Sequence, residues 1–432
     1  MANPERLRAY LTYFERLALQ PFNRWEGFSL QRLETRSFGL RAQLAFPCYA
    51  LGAIALHPTT SPAERERCLK AMAALIDRML QRRVWAYWAI SAEVRQNVVN
   101  PIARGNGEFS GHLAMMLGMY EIVGGDNRYD TEPFQLLWSH NSFDRFSFTH
   151  TSLVNTLWEQ AKTSKQLAVL CKPCQVRASQ MNHILWAFAL HDALHGSEYA
   201  AGNEAWFNFL QRRLALWGPN FPGRGTLNAL YWPCLNLTPS LSLNFEDAWA
   251  LAFLAQLQPD LTRDLAKRFF SQIRYLKEEK LGDPLFAIPQ AYLPSLPFWQ
   301  KLEIAEEAVT TGFAYLLAVE LGEEMLASFL LSYADQQLQP IEQQVVGEGE
   351  RFYNRSLAPP FATALYALGE AGGLKRIAER MQLKVTESTN QRATVAEARM
   401  PLFRAIRASE TPRGVHGFSR DPPAKAVASE GK

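Results

Sequence analysis

Along most of the chain, apolar residues recur three and four positions apart, the period of a helix with one buried face. In the stretch 63–83, Leu69, Met72, Leu75, Ile76 and Met79 share a face, and Thr60, Ser61 and Pro62 supply a cap followed by a first-turn proline. The same style predicts helices over 5–17, 40–56, 111–123, 152–165, 180–194, 201–217, 245–257, 261–281, 304–321, 323–338, 360–370 and 374–381. Most are separated by Gly- or Pro-marked turns. Several, 111–123 among them, are apolar on more than one face and are expected to sit inside. Alternating, β-branched runs are scarce.

About a dozen antiparallel helices can stack as hairpins into a closed two-layer ring, with apolar inner and amphipathic outer helices. A solenoid would show a repeat period, and none is found. Residues 1–384 are expected to form this all-α domain. Residues 385–432 are rich in Ala, Arg, Ser, Thr, Glu and Pro and contain only two Phe, which predicts a polar, disordered tail with a short helix near 395–406.

Composition narrows the function. Of 432 residues, 48% are hydrophobic and 12% aromatic, ample for a large core or an aromatic-lined pocket. A formal charge of +3 and the absence of a basic tract argue against a nucleic-acid partner. The longest apolar stretch, 44–56, contains Pro47 and is too short to span a membrane. No export signal is recognised at the N-terminus, and the five cysteines are expected to be reduced, in the cytoplasm. Neither a phosphate-cradling loop nor the aspartate-rich signatures that hold magnesium diphosphate are present.

Five local patterns carry candidate chemistry, each with a plainer reading. His112 opens an otherwise apolar helix. Burial and the helix start would keep it neutral, as a base, a hydrogen-bond partner, or simply a satisfied core residue. Glu246 and Asp247 begin another apolar helix, either as caps or as an acid pointing into a barrel mouth. Cys171 and Cys174 have CxxC spacing without a second ligand pair or a βαβ context, so a pocket thiol or inert packing is favoured over metal or redox chemistry. His191 and His195 lie on one helical face, as in a zinc motif, but Gly196 ends the helix at once, and no metal is expected there. Tyr231 sits in a Pro- and aromatic-rich loop.

Taken in order, these segments resemble the linalool dehydratase/isomerase family. The likeness spans roughly residues 10 to 380: Arg83-Val-Trp85, the stretch 100–112 leading into Gly111-His112-Leu113, Gly125 to Tyr129, Cys171-x-Pro173, His191 to Tyr199, Tyr231-x-Pro233 and Asp247-Ala-Trp249. The resemblance implies an (α/α)6 barrel. It also implies cofactor-free hydration, dehydration or isomerisation of an acyclic monoterpene alcohol in an apolar pocket, in a ring-shaped homo-oligomer. It carries His112, Cys171 and Tyr231 into the site, with Trp85 and Trp249 beside them. Where the family has an acid and a tyrosine near the N-terminus, this chain has Leu17 and Asn23, with Glu15 close by as a substitute acid. A second pocket tyrosine is replaced by Ala42, the glutamate after the first pocket cysteine by Lys172, and the second pocket cysteine by Gln180. The expectation is therefore proton-transfer chemistry on a hydrophobic, terpenoid-like molecule: dehydration, isomerisation or cyclisation. In that expectation His112, Cys171, Tyr231 and Asp247 or Glu246 are catalytic. Asn23, Ala42, Gln180, Trp85 and Trp249 contact the substrate. A sugar-processing barrel enzyme and a scaffold without catalysis are the alternatives.

Overall fold

A computed structural model of the chain describes residues 3–30, 39–87, 100–102, 106–138, 145–216, 226–239, 244–271, 274–276, 285–287, 307–345 and 347–390. In chain order the principal helices are α1 (Pro4–Leu19), α2 (Leu40–Ala55), α3 (Pro62–Met79), α4 (Gly107–Gly124), α5 (His150–Lys162) and α6 (Ala178–His195). There follow α7 (Asn203–Phe209), α8 (Asn244–Leu254), α9 (Pro259–Phe270), α10 (Glu307–Leu321), α11 (Glu324–Tyr333) and α12 (Pro359–Glu370). A further helical stretch covers 375–390. The ends follow the sequence chemistry. Asn3 caps α1, and Ser61 and Glu64 form a capping box on α3, with Ser61 N–H donating to Glu64 at 2.7 Å.

The even-numbered helices are buried nearly all round, and each packs on the next: α2 on α4, α4 on α6, α6 on α8, α8 on α10, α10 on α12, and α12 back on α2. The odd-numbered helices are amphipathic and lie against them. Helix α3 covers α2 and α4, α5 covers α4 and α6, α9 covers α8, α11 covers α10, and α1 bridges α2 and α12. This is a mostly helical, multi-helix fold consistent with an all-α toroid. Its two ends are tied together by polar contacts. Tyr10 on α1 donates to Glu370 on α12 at 2.8 Å, and Arg6 pairs with the same carboxylate at 2.8 Å.

Two glycines set the spacing of α4 and α6. A Cβ at Gly111 would meet Ile184 at 2.8 Å, and one at Gly118 would meet the Leu190 Cβ at 2.9 Å. Gly118→Val is therefore expected to cost about 1–3 kcal/mol by overpacking, read as a lower midpoint in urea denaturation. An unchanged midpoint would show that the two helices can part without loss.

Three short antiparallel ribbons interrupt the helices: Phe134–Leu137 with Arg145–Phe148, Arg274–Leu276 with Leu285–Ala287, and Ile341–Val345 with Glu348–Phe352. The second corrects the sequence reading. The helix predicted over 261–281 stops at Phe270, and 274–276 pairs in register with 285–287. A ladder partner distant in sequence outweighs local helical propensity there. The helix predicted over 201–217 is likewise shorter: a 3-10 turn Tyr199–Gly202, α7, and a π turn Leu210–Leu214. The short helix expected near 395–406 lies outside the described residues. Backbone contacts divide the chain into units 1–385 and 386–432. No helix among the described residues is long and apolar enough to cross a membrane.

Candidate active site

The inner helices converge on one aromatic ring. Phe46 on α2 lies 5.8 Å, centroid to centroid, from His112 on α4 and 5.8 Å from His183 on α6. It is 5.4 Å from Trp249 on α8, 5.6 Å from Phe313 on α10 and 4.5 Å from Phe361 on α12. All six side chains are buried. At this level the interior is filled by an aromatic plug in which the two imidazoles are the titratable members.

A chain of polar contacts runs through the plug. An indole only donates, so the 3.0 Å contact from Trp249 Nε1 makes His183 Nε2 an acceptor. Burial pushes His183 well below the usual imidazole range, so the ring is neutral and its proton sits on Nδ1. That nitrogen faces the Tyr49 hydroxyl at 3.5 Å. Tyr49 in turn lies 2.9 Å from His112 Nδ1 and 3.4 Å from the His112 carbonyl, either of which can take its hydroxyl proton. His112 is also neutral, driven down first by burial, then by His183 and Arg41. Its Nε2 has no hydrogen-bond partner among the described residues. A neutral imidazole donates from that nitrogen in one tautomer and accepts there as a base in the other.

One turn toward the helix starts lies a polar layer. Glu108 precedes His112 by four residues and Gln180 precedes His183 by three, so each shares its helical face with an imidazole. Glu108 is buried in an ion pair with Arg41, whose guanidinium lies 4.3 Å from the centre of the Tyr87 ring. Lys172 approaches the second Glu108 oxygen at 3.9 Å. Both polar atoms of the buried Gln180 amide lack a partner among the described residues. Native proteins rarely leave such groups unsatisfied, which makes His112 Nε2 and the Gln180 amide the candidate polar groups of the site.

The other expected site residues divide. Trp249 holds His183, as above, and stacks on Phe313 at 5.0 Å. Ala42 is buried on α2 beside Arg41. Cys171 is buried, with its thiol directed at the Gln175 carbonyl at 3.1 Å. Burial raises that thiol to about 11, against the pull of Arg177, so it is a thiol and not a nucleophilic thiolate at neutral pH. The two carboxylates expected to supply acid are occupied as acceptors. Glu246 takes hydrogen bonds from Arg177, at 2.9 Å, and from Ser179. Asp247 takes the Thr226 and Leu227 amides at 2.7 and 3.1 Å, anchoring the loop before α8. Tyr231 pairs its backbone with Val176, and its hydroxyl turns to Asn236 at 3.4 Å. Trp85 donates to the Leu80 carbonyl at 3.1 Å and packs on Trp138 at 5.5 Å. Asn23 is exposed in the turn after α1. Glu15 does not reach the interior: Arg67 on α3 binds it at 2.6 Å, because α1 turns that face to α3.

Cysteine chemistry also departs from expectation. Cys174 is joined to Cys234, with the Cα atoms 5.7 Å apart, while Cys48, Cys68 and Cys171 are free thiols. A fully reduced chain was expected; chain packing brings two cysteines sixty positions apart within bonding reach. A groove of about 850 Å³ lies elsewhere, lined by Arg6, Arg67, Glu348 and Arg351, but it is an open, salt-bridged surface cleft.

Arg41, Tyr49, Glu108 and His183 were missed from the sequence. The available signal was spacing: Glu108 and His112 stand four apart on a helix otherwise apolar, as do polar Gln180 and His183 at three. Protonation of the plug also has a cost that sets pH behaviour. His112, His183 and His191, the last pushed to about 3 mainly by burial, are neutral in the fold. The unfolded chain takes up protons on them below about 6.5, so stability is full above that pH and declines as pH falls below it. The melting temperature is expected to drop between pH 7 and pH 5 by circular dichroism. A flat profile over that window would mean that the imidazoles are already charged in the fold.

An interior polar layer next to an aromatic plug, within a mostly helical fold consistent with an all-α toroid, is the candidate site of this protein. The chain belongs to the linalool dehydratase/isomerase family, whose sequence model matches residues 41–358. Among solved structures it is similar to a glycoside hydrolase family 76 mannosidase from Bacteroides thetaiotaomicron VPI-5482, at 9% identity and a TM-score of 0.44, covering 90% of this chain and 99% of that one. A family 76 glycoside hydrolase from a bovine Bacteroides thetaiotaomicron strain matches at 9% identity and a TM-score of 0.46, covering 87% of this chain and 78% of the other. At these values the two likenesses decide neither the site nor the reaction.

Proposed function

We propose that this chain is an (α/α)6-toroid enzyme that carries out dehydration, isomerisation or cyclisation of a hydrophobic, terpenoid-like alcohol or alkene by proton transfer. The six mutually packed even-numbered helices, each paired with an outer helix, support the toroid. The observation that carries the function is the unpartnered His112 Nε2 together with the unpartnered Gln180 amide one helical turn before His183, both buried and both without a partner among the described residues. In this reading a substrate hydroxyl accepts from His112 Nε2 and is steadied by Gln180. The Glu108 carboxylate, fixed by Arg41, receives or returns the migrating proton. Cys171 lines the site as a neutral thiol. Aromatic faces stabilise cationic character and keep water out. Family membership supports this class of reaction. The purified protein is to be incubated with a panel of prenyl alcohols and alkenes and the extracts analysed by gas chromatography with mass detection, with Cys171→Ala alongside. Product formation supports the reading; no turnover of any of them by folded protein overturns the terpenoid assignment.

A sugar-processing reaction is the second reading. Two buried carboxylates, Glu108 and Glu246, occupy the first turns of α4 and α8, each beside an arginine. Paired acids are what glycoside cleavage requires. Release of nitrophenol from a panel of nitrophenyl glycosides, abolished by Glu108→Gln and by Glu246→Gln, would favour it. Silence in both panels would leave a binding scaffold.

A further inference from the structure

Away from the plug, at the C-terminal ends of α4 and α6, four side chains turn toward one point. Glu121 comes from the last turn of α4 and Asp130 from the single-turn helix Arg128–Thr131. His150 is the first residue of α5 and His195 the last of α6. One donor atom from each lies within 4.8 Å of all the others. His150 Nδ1 is 3.8 Å from Glu121 Oε2 and 3.8 Å from Asp130 Oδ2. His195 Nε2 is 3.6 Å and 3.1 Å from the same two oxygens.

We propose that Glu121, Asp130, His150 and His195 bind one divalent transition-metal ion of zinc type, which pins the ends of α4 and α6 to the start of α5. Three observations support it. The first is His150. It is 0% exposed, yet neither ring nitrogen has a hydrogen-bond partner among the described residues. A buried imidazole aimed at two carboxylates without bonding either is costly unless something sits between them. The second is spacing. Metal–ligand bonds of 2.0–2.1 Å in tetrahedral geometry put donor atoms about 3.3 Å apart, and the four contacts run from 3.1 to 3.8 Å around that spacing, three of them at 3.6 to 3.8 Å and too long for good hydrogen bonds. The third is support behind the ligands. Asp130 uses Oδ1 to accept the Thr151 amide at 2.7 Å, leaving Oδ2 turned inward and unpartnered. Outer hydrogen bonds of this kind orient metal ligands. Two nitrogens and two carboxylate oxygens suit zinc, and would take cobalt(II) as a spectroscopic substitute, better than they suit magnesium or calcium, which prefer oxygen shells. Glu121, Asp130 and His195 each keep 13–28% of their side-chain surface open, giving an entry path. His191, the sequence partner of His195, is not a ligand here: its two nitrogens face Ser197 and Thr151 at 2.7 and 3.2 Å.

The full chain, freed of metal with a chelator, is titrated with Zn²⁺ by calorimetry and with Co²⁺ by visible absorption, and melted with and without one equivalent of Zn²⁺. The expected results are one Zn²⁺ per chain, a higher melting temperature, and the intense bands of four-coordinate Co²⁺. His195→Gln and Asp130→Asn, both partly exposed and each leaving α5 and the plug intact, should weaken binding by at least the roughly 10–100-fold that loss of even an outer-shell partner produces. If one variant fails to fold, the other decides. Absence of Zn²⁺ uptake by folded protein would overturn the proposal. So would uptake that a folded variant leaves unchanged, since that metal would be held elsewhere.

Discussion

Arg41→Met is expected to destabilise the protein by about 3–5 kcal/mol, the largest single effect on stability at the candidate site. Arg41 and Glu108 are 1% and 2% exposed, and their ion pair joins α2 to α4. Removing the guanidinium strands a carboxylate in the interior, with Lys172, 3.9 Å away, the one cation paired with it besides Arg41 among the described residues. The double variant Arg41→Met/Glu108→Met is expected to lose less than the sum of the single changes, because no orphaned charge remains. Guanidinium denaturation of the four proteins tests this. Additive losses would show that the two groups are screened from each other and that the interior at this level is wet.

His112→Ala is expected to lower turnover by about 10²–10⁴-fold on whichever prenyl alcohol or alkene the protein converts, with the helical signal retained. Among the described residues, the imidazole is the member of the Trp249–His183–Tyr49–His112 chain with a polar side-chain atom lacking a partner. Tyr49→Phe is a finer test. It removes the hydroxyl that contacts His112 Nδ1 while keeping the ring, so turnover should fall less than in His112→Ala. Comparable turnover in His112→Ala and the parent protein would remove His112 from the chemistry. Because burial holds His112 uncharged, the activity of the parent protein should show no step near pH 6.5 from this group.

The burial of several candidate residues was legible in the sequence. His112 stood out because a titratable side chain in an apolar helix is costly without a purpose, Cys171, Gln180, Ala42 and Trp249 were put forward by motif order, and all five are buried. The surroundings of Glu246 and Asp247 were not legible, for a physical reason. A carboxylate at a helix start has the same sequence signature whether it faces a cavity or binds the amides of a preceding loop, as Asp247 does with Thr226 and Leu227. Glu15 failed similarly, since proximity in sequence to a lost acid says nothing about which face of α1 looks inward; Arg67 holds it outside.

The sequence by itself determined the helices and their two kinds of surface, because a 3.6-residue period and the count of apolar faces are local properties of the chain. It also carried the family, through motifs whose order survives substitution. Only the tertiary structure decided which polar residues meet. The Phe46 plug draws one aromatic or imidazole ring from each inner helix, and the Glu121, Asp130, His150 and His195 cluster gathers residues spread over seventy-five positions. Such meetings depend on helix rotation and register. Those are set by close contacts such as Gly111 against Ile184, which no periodicity along one chain segment records.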